Sequence, residues 1–502
     1  MADLPYPPRQ NYWNGRPQPR SSSTFQTIDP STAKPLADVH TASHTDIDAA
    51  VASAASAFPS WSTTPPTQRA RILLAAVALL RARNDDLARV ETHDTGKPFS
   101  ETSTIDVVTG ADVLEYFAHL VAGGGLNGET TQLRPDAWVY TRKEALGVCV
   151  GIGAWNYPLQ IALWKAAPCL AAGNCMVYKP SEVTPLHGML LAQVFSEAGL
   201  PDGVFNIVNG GGEVGAYLTA HPGVAKVSFT GQVATGQKVA ASAAGGMKYV
   251  TMELGGKSPL LVLEDCEVEN AVDGAMMANF FSTGQVCTNG TRVFVPEGMK
   301  ERFEKRLLEK MDYIRPGDLM DSKANFGPLV SKVHYEKVMG YIKHGVEVDK
   351  ARLLYGGPEK PVFPDGTAEK LEQGFWVRPT IFTDCTDDMR IVKEEIFGPV
   401  MAILTYKTVE EAIQRANDTT LGLAAGVFTR DLNLAHTVVA QLEAGITWIN
   451  SWGESPAEMS VGGWKQSGVG VENGRRGIEA WVRNKSTLVD MSGSVASVFS
   501  KL

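Results

Sequence analysis

Residues 147–180 read GVCVGIGAWNYPLQIALWKAAPCLAAGNCMVYKP and predict a strand, a helix and a second strand. GVCVGIG and CMVYKP are short apolar runs typical of buried strands, and LQIALWKAAPCLAAG has the length of a helix closed by glycine. Elements in this order form a parallel pair of strands with a crossover helix. Residues 145–164 carry no formal charge and are long enough to span a bilayer. Glycine, asparagine, proline and glutamine interrupt their middle, so we expect no membrane span.

The same alternation continues on both sides of this unit. VFNIV, KVSFTG and KYVTMELGG are predicted strands separated by predicted helices, which indicates a doubly wound parallel α/β sheet. A second α/β region begins near Gly256 with the strand SPLLVLE. Upstream, residues 67–93 have apolar positions at helical spacing with Thr67 as a candidate N-cap. Near the end, STLVDM predicts a β segment without neighbours in sequence, of the kind that pairs with a sheet in another subunit.

The composition is that of an ordinary globular protein. The chain has 502 residues, of which 44% are hydrophobic, and this length suggests two or three domains. A net charge of −9 without a basic block argues against nucleic acid as a partner. The six cysteines form no CxxC pair and no metal-ligand spacing, so we expect a reducing compartment and no metal site.

The two ends of the chain bear on its location. MADLPYPPRQNYWNG lacks the apolar core of a signal peptide, so secretion is not expected. The last three residues, Ser500, Lys501 and Leu502, form the SKL signal that a peroxisomal import receptor reads, although three residues also match by chance. We expect a peroxisomal protein, or a cytoplasmic one if the signal is not used.

One cysteine stands among small and polar residues in GQVCTNG, just after the apolar run AMMANFF. Most single cysteines are buried and act as small hydrophobic residues. Cys287 instead follows a predicted helix end in a polar loop, which would expose it and give it some thiolate character. These residues alone do not decide between a buried thiol and one presented to a ligand.

Two further polar side chains, Asn156 and Glu253, stand near the ends of predicted elements. Asn156 precedes Pro158, which suits the first turn of a helix, so its amide would lie beside free backbone N–H groups. An asparagine there is usually a helix cap, and it can also donate to an oxyanion. Glu253 lies between Met252 and Leu254 and is predicted to be half-buried. Such a carboxylate is either a general base or half of an edge-strand ion pair.

A glycine-rich loop, NGGGEVG at residues 209–215, contains GxGxxG between a predicted strand and a helix, where a pyrophosphate loop would lie. The acidic residue expected about twenty positions later is missing, because residues 214–252 contain no Asp or Glu. A plain tight turn is an equally good interpretation. Lys179 and Glu182, just past another strand, either hold a ribose or belong to a solvated turn.

Together these segments form an ordered series over more than 300 residues: GAWNYP, WKAAPCLAAGN, YKPSE, FTG, MELGGKSP, GQVCTNGTR, EEIFGPV and GGWKQSG. In this series the chain resembles the NAD(P)-dependent aldehyde dehydrogenases over nearly its whole length. Within that family it resembles the betaine aldehyde dehydrogenases and their trimethylaminobutyraldehyde relatives, on SWGESPAEM and VCTNGTRVFV.

The resemblance implies an aldehyde dehydrogenase-like α/β fold. A Rossmann-type cofactor domain would comprise residues 1–124 and 144–255, and an α/β catalytic domain residues 256–460. A β oligomerisation element would combine residues 125–143 with a strand in 461–502, the segment that also returns to the cofactor domain and ends in the C-terminal tail. Exchange of this element between subunits implies a homo-oligomer, either a dimer or a tetramer.

The resemblance also assigns roles. Cys287 would form a thiohemiacetal and then a thioester, Asn156 would hold the oxyanion, and Glu253 would activate water. NAD is expected as cofactor, with NADP possible but weaker because Glu182 would repel a 2′-phosphate. Gln232 stands where the family commonly has serine, which puts the pyrophosphate contacts there in doubt. The implied cofactor-binding residues are Ile152, Trp155, Lys179, Ser181, Glu182, Gly212, Phe229, Thr230, Gly231, Gln232, Leu254, Glu395 and Phe397.

The predicted substrate is a trimethylammonio aldehyde, with betaine aldehyde, oxidised to glycine betaine, first. Tyr157 and Trp164 are seven apart on one predicted helix and share a face, and Trp452 lies in SWGESPAEM. Three such rings would hold a quaternary ammonium by cation–π attraction, with Glu454 or Glu458 adding charge. Core packing is the commoner role of aromatic residues. 4-Trimethylaminobutyraldehyde and ω-aminoaldehydes are alternative substrates, and an NAD-binding structural protein or a cysteine esterase is the alternative class.

Overall fold

The structure is a computed structural model that describes residues 9–363, 367–495 and 497–499. The predicted peroxisomal signal, residues 500–502, lies outside the described residues. Within those ranges, no helix is both long enough and apolar enough to cross a membrane.

The predicted strand–helix–strand unit is the centre of an eight-stranded sheet. Its two strands are parallel and joined by the helix Pro158–Ala171, which begins with proline in its first turn. The chain winds outward from the strand Val148–Ile152 in one direction and then continues on its other side with Lys226–Gly231, which makes the classic doubly wound order. In spatial order the strands are Arg16–Pro17, Tyr12–Trp13, Phe205–Ile207, Cys175–Lys179, Val148–Ile152, Lys226–Gly231, Tyr249–Leu254 and Gly468–Val469.

A second sheet of seven strands follows. All neighbouring strands in it are parallel except the antiparallel edge strand Arg352–Tyr355. Its central strands are fully buried, because helices cover both faces. In spatial order the strands are Arg352–Tyr355, Thr380–Thr383, Val400–Tyr406, Arg292–Pro296, Pro259–Val262, Ala424–Phe428 and Ile446–Ile449.

A third, antiparallel sheet joins distant parts of the chain. The strand Val482–Asp490, which contains most of STLVDM, pairs along its whole length with Ala137–Ala145, and Thr130–Arg134 forms the other edge. The segment predicted to pair with another subunit therefore already has a partner in its own chain. The sequence pattern could not show this pairing, because the two strands are more than 300 residues apart.

The predicted helix over residues 67–93 is in fact two helices, Pro66–Ala82 and Asn84–Thr95. The break falls at Arg83, whose backbone angles lie outside the helical range. The prediction of Thr67 as N-cap is wrong, because Pro66 occupies the first helical position and Pro65 precedes it as the cap residue.

The remaining elements surround these sheets. The helices and helical turns are His44–Thr63, Phe99–Glu101, the π-helical turn Thr102–Asp106, Val107–Ala122, His187–Glu197, Gly212–Ala220, Val233–Ala244, Val268–Phe280, Phe281–Gly284, Glu297–Met299, Lys300–Met311, Lys332–Glu347, Ala368–Leu371, Arg390–Lys393, Val409–Asn417, Leu432–Val439 and Gly474–Glu479. The remaining strands are Thr24–Asp29, Lys34–His40, Leu421–Gly422 and Trp464–Lys465.

Asn174 ties the eight-stranded sheet to the C-terminal segment. Its Oδ1 accepts hydrogen bonds from the backbone N–H groups of Leu146 and Gly147, at 2.6 and 3.0 Å. Its Nδ2 donates to the backbone oxygens of Trp481 and Cys169, at 2.8 and 3.3 Å. The side chain is fully buried, so water cannot replace these bonds.

We expect Asn174→Ala to destabilise the protein by about 2–4 kcal/mol, because it leaves several buried backbone groups without partners. The midpoint of thermal unfolding, followed by scanning fluorimetry, measures the change. Asn433 is exposed on the helix Leu432–Val439. Asn433→Ala is therefore the matched control and should change the free energy of unfolding by less than about 0.5 kcal/mol. Equal midpoints for the two variants would contradict this role.

Candidate active site

A cavity of about 1050 Å³ lies at the carboxyl ends of the central strands of the eight-stranded sheet. Residues of the second α/β region close it from the other side. Every sequence-predicted site residue lines this cavity except Glu458, which is exposed outside it. The residues brought together are Ile152, Trp155, Asn156, Tyr157, Trp164, Lys179, Ser181, Glu182, Gly212, Phe229, Thr230, Gly231, Gln232, Glu253, Leu254, Cys287, Glu395, Phe397 and Trp452.

Cys287 follows a tight turn after the helix Val268–Phe280. In that turn Ser282 and Thr283 have φ of 49° and 54°, a left-handed conformation that is strained for side chains of this kind. Burial, together with the charges of Glu395 and Glu253, raises the pKa of the Cys287 thiol to about 12. Its own N–H group and that of the following residue lower it. The expectation of an exposed cysteine with thiolate character therefore differs from the structure, because two carboxylates share its partly buried site.

Asn156 holds the loop that carries the thiol. Its Nδ2 donates to the backbone oxygen of Gln285 at 2.9 Å. The Gln285 side chain in turn accepts from the backbone N–H of Val330 at 3.0 Å. A primary amide has two N–H hydrogens, so Asn156 keeps a second donor for the cavity that it lines.

Glu253 lies at the end of the strand Tyr249–Leu254 and is buried. Its Oε1 has no hydrogen-bond partner in the part of the chain that the structure describes. Burial raises the pKa of the Glu253 carboxyl well above its usual value, Glu472 raises it further, and the Lys165 ammonium lowers it. A carboxyl with a raised pKa takes up a proton more readily than a solvated one, as a general base requires.

Lys165 and Glu472 form a buried ion pair of 2.7 Å beside Glu253. The Lys165 ammonium also donates to the hydroxyls of Thr230 and Ser228, at 2.8 and 3.1 Å. Sequence reasoning missed this pair, because 307 residues separate its members and Lys165 occurs inside an otherwise apolar helix. A lysine in such a helix was the one available signal.

The glycine-rich loop opens one end of the cavity. Gly212 begins the helix Gly212–Ala220, and nothing lies within 4 Å of where a Cβ would stand at this position. Free N–H groups at a helix start suit an anion such as a pyrophosphate. Nearby, Lys179 Nζ and Glu182 Oε2 are 3.3 Å apart, and Glu182 is half exposed and free to accept from a ribose hydroxyl.

A second group of residues lies between this end and the thiol. Glu395 Oε1 accepts from the backbone N–H of Gly256 at 3.1 Å, and burial raises the pKa of the Glu395 carboxyl to about 6. Gly255 permits the approach, since a Cβ there would lie 2.0 Å from Glu395 Oε2. Phe397 has φ of 61°, and its carbonyl contacts His334 Nε2 at 2.6 Å. His334, which sequence reasoning missed, also lines the cavity.

These two groups of residues fit NAD. The open helix start suits the pyrophosphate, and carboxylates at Glu182 and Glu395 suit the two riboses. Gln232 forms the cap position of the helix Val233–Ala244 without a side-chain hydrogen bond to that helix. Across the described residues, no group of three or more His, Cys, Asp or Glu side chains is arranged to hold a metal ion.

The remaining end of the cavity is aromatic. Tyr157, Trp164 and Trp452 all line it. The Trp452 ring packs against Trp448 with centroids 5.0 Å apart, and a Cβ at Gly290 would lie 2.7 Å from it. The tryptophan therefore uses part of its surface for packing and part for the cavity.

Two carboxylates border the same end. Glu454 is exposed there, and Asp112 pairs with Arg81 at 2.9 Å. The lysines among the described lining residues are Lys179, Lys238 and Lys337. Lys179 contacts Glu182, and Lys238 lies in the helix that Gln232 caps. The charge of Lys337 lowers the pKa of Glu395. All three lysines therefore lie on the dinucleotide side. The aromatic end thus combines rings with negative charge.

We expect alkylation of Cys287 by iodoacetamide to accelerate about tenfold per pH unit from pH 7 to 10, because only the thiolate reacts and the thiol pKa is raised to about 12. Glu395→Gln should accelerate it at pH 8, since this carboxylate, with a pKa of about 6, is ionised there and raises the thiol pKa. Glu394→Gln is the neighbouring control and should not. Mass spectrometry of the Cys287 peptide gives the rates. A plateau below pH 9 would contradict the expectation.

Comparison with known proteins identifies the family. The model of the aldehyde dehydrogenase family matches residues 18–487. An NAD⁺ complex of an aldehyde dehydrogenase from Bacillus cereus is 38% identical, with a TM-score of 0.92 and 96% of each chain covered. A betaine aldehyde dehydrogenase from Staphylococcus aureus in complex with NAD⁺ is 35% identical, with a TM-score of 0.93 over 99% of this chain and 98% of the other. An indole-3-acetaldehyde dehydrogenase mutant from P. syringae, in complex with NAD⁺ and IAA, is 36% identical, with a TM-score of 0.92 over 96% and 97%. The chain belongs to the aldehyde dehydrogenase family and is an NAD-dependent enzyme of that family.

Proposed function

We propose that Cys287, Asn156 and Glu253 are the catalytic residues of this enzyme and that betaine aldehyde is its substrate. The observation that supports the first part is their convergence on one cavity with a cradle for NAD. The observation that supports the second is the pairing of aromatic rings with carboxylates at the end of the cavity away from that cradle.

In the first step, the Cys287 sulfur attacks the aldehyde carbon and a thiohemiacetal forms. The charge that develops on the aldehyde oxygen is held by the free N–H of the Asn156 amide and by the backbone N–H of Cys287. Because burial keeps the thiol protonated, its proton must leave to a carboxylate before or during attack. Glu253 and Glu395 are the carboxylates whose charges act on the sulfur.

Bound NAD supplies the two-electron acceptor for the hydride that leaves the thiohemiacetal, and a thioester on Cys287 remains. Glu253 then takes a proton from water, which attacks the thioester and releases the carboxylic acid. The raised pKa of Glu253 suits this role, since the carboxyl must both accept and release a proton. The buried ion pair of Lys165 and Glu472 fixes the positions of two charges that act on the pKa of Glu253.

The substrate proposal depends on charge at the aromatic end. A quaternary ammonium group cannot donate hydrogen bonds, so rings and carboxylates are the groups that can recognise it. Trp164 and Trp452 offer the rings, and Asp112 and Glu454 the charge. Glu454 is the acidic residue of SWGESPAEM that fits this role, because Glu458 lies outside the cavity lining. The longer 4-trimethylaminobutyraldehyde and ω-aminoaldehydes share this chemistry and remain alternatives.

Assembly and location remain predictions. The strand Val482–Asp490 is an edge strand of its sheet, and an edge strand can pair with a second copy. We propose a homo-oligomer, a dimer or a tetramer. Peroxisomal import through residues 500–502 stays the proposal for location.

We expect Cys287→Ala to abolish NADH formation while NAD binding keeps its Kd, because the thiol forms the covalent bond and does not build the cradle. Glu253→Gln should give a burst of about one NADH per active site and then a steady rate about 10²–10⁴-fold lower. Stopped-flow absorbance at 340 nm measures both. Steady turnover in the alanine variant would disprove the nucleophile, and a missing burst in the glutamine variant would place Glu253 before hydride transfer.

We expect kcat/KM to be highest for betaine aldehyde in a panel that includes 4-trimethylaminobutyraldehyde, 3-aminopropionaldehyde and 3,3-dimethylbutanal, the uncharged isostere of betaine aldehyde. Trp452→Leu should reduce the preference for betaine aldehyde over the isostere about two- to thirtyfold, because one cation–π contact contributes roughly 0.5–2 kcal/mol. Trp452→Phe, which keeps an aromatic face, should retain most of it. The cationic substrate class is refuted if 3,3-dimethylbutanal is the better substrate of wild type.

A further inference from the structure

Four ionisable side chains lie together behind the aromatic end of the cavity. Lys97 Nζ is 3.9 Å from the centroid of the Tyr157 ring. The same ammonium pairs with Asp106 and lies 3.8 Å from Glu91. Glu101 completes the group, and all four are buried. Tyr157 borders the cavity, whereas these four described residues stand behind it.

A chain of hydrogen bonds joins Tyr157 to Glu101. The Ser282 hydroxyl donates to Glu101 Oε1, and the hydroxyl oxygens of Tyr157 and Ser282 are 2.5 Å apart. Since serine has one hydroxyl proton, the Tyr157 hydroxyl must donate to Ser282. Glu101 therefore contacts the aromatic wall through one serine, at the strained turn that leads to the nucleophile.

The charge of this group can be counted. Burial raises the pKa values of both Glu91 and Asp106. Glu91 and Asp106 also hydrogen-bond to each other, which requires a proton on one of them and leaves the pair with at most one negative charge. Burial lowers the pKa of Lys97, but attraction from the three carboxylates outweighs it, so the ammonium persists and cancels that charge. Glu101 then provides the net negative charge.

We propose that Glu101 is a specificity-determining residue, whose negative charge behind Tyr157 favours cationic over uncharged aldehydes. This inference rests on the proposed cationic substrate. Without Glu101, the Lys97 ammonium and the Glu91–Asp106 pair would cancel, and the group behind Tyr157 would have no net negative charge to attract a trimethylammonium group. With Glu101 ionised, Tyr157 presents its ring to the cavity with a net negative charge behind it, and water screens this buried charge little. Glu101 acts through Tyr157 and does not itself border the cavity.

The test compares kcat/KM for betaine aldehyde with kcat/KM for 3,3-dimethylbutanal at pH 8.5. Burial raises the pKa of Glu101 to about 7, so the carboxyl is ionised in this assay. Glu101→Gln keeps an acceptor for Ser282 and removes the charge, and we expect the ratio to fall about three- to tenfold. Glu101→Asp keeps the charge and should retain the ratio. Ser282→Ala breaks the hydrogen-bonded chain but not the charge, and it should change kcat without lowering the ratio.

Wild type separates the two proposals. If wild type does not prefer betaine aldehyde over its isostere, the proposed substrate fails. If wild type has the preference and Glu101→Gln retains it, or Ser282→Ala lowers it equally, the role of Glu101 fails.

A measurement on wild type covers the case in which Glu101→Gln does not fold. The ratio should rise between pH 6 and 8.5 as Glu101 ionises, because a negative charge behind the ring acts on the cationic substrate and not on its uncharged isostere. The other ionisable groups that act on Tyr157 are Asp106 and Cys287, and Glu91 and Lys97 lie in the same cluster. The thiol pKa is raised to about 12 and the Lys97 pKa is raised, so neither titrates in this range. Ionisation of Glu91 or Asp106 would add negative charge as Glu101 does, so a flat ratio excludes a change of charge in the whole group. A ratio that stays flat over this range overturns the role of Glu101.

Discussion

The buried ion pair between Lys165 and Glu472 is the contact on which the site depends. Both side chains are almost completely buried, and their separation is 2.7 Å. Two isolated charges at this depth would be strongly destabilising, so each requires the other and the hydroxyls around them. The pair joins the helix Pro158–Ala171 to the segment that returns from the second α/β region. Glu472 also lines the cavity, and the charges of the pair act on the pKa of the Glu253 carboxyl.

The loop that carries Cys287 is held in a strained backbone conformation by hydrogen bonds from two sides. Ser282 and Thr283, in the turn before Cys287, adopt left-handed backbone angles that a free chain would rarely populate. Asn156 and Gln285 bind the loop from the cavity side, while Ser282 is bound from behind by Glu101. The sulfur is therefore held at a defined place, and burial, with the surrounding carboxylates, favours its protonated form.

The two ends of the cavity differ in chemistry. The dinucleotide end has an open helix start, lysines and carboxylates for riboses. The opposite end has aromatic rings with Asp112 and Glu454, and the described lining there lacks a positive side chain. Cys287 lines the same cavity. A buried group of ionisable side chains lies behind Tyr157 at the aromatic end.

The amino-acid sequence by itself determined the alternation of strands and helices, since apolar runs and their glycine and proline boundaries are local features. The same local patterns singled out Cys287, Asn156 and Glu253, because each stands at an element end where its neighbours are of another kind. Only the tertiary structure decided that the strand Val482–Asp490 pairs with Ala137–Ala145, that Lys165 meets Glu472, and that burial and two carboxylates raise the pKa of the Cys287 thiol. The physical reason is that long-range pairing and desolvation depend on which distant segments meet, and no local pattern encodes that.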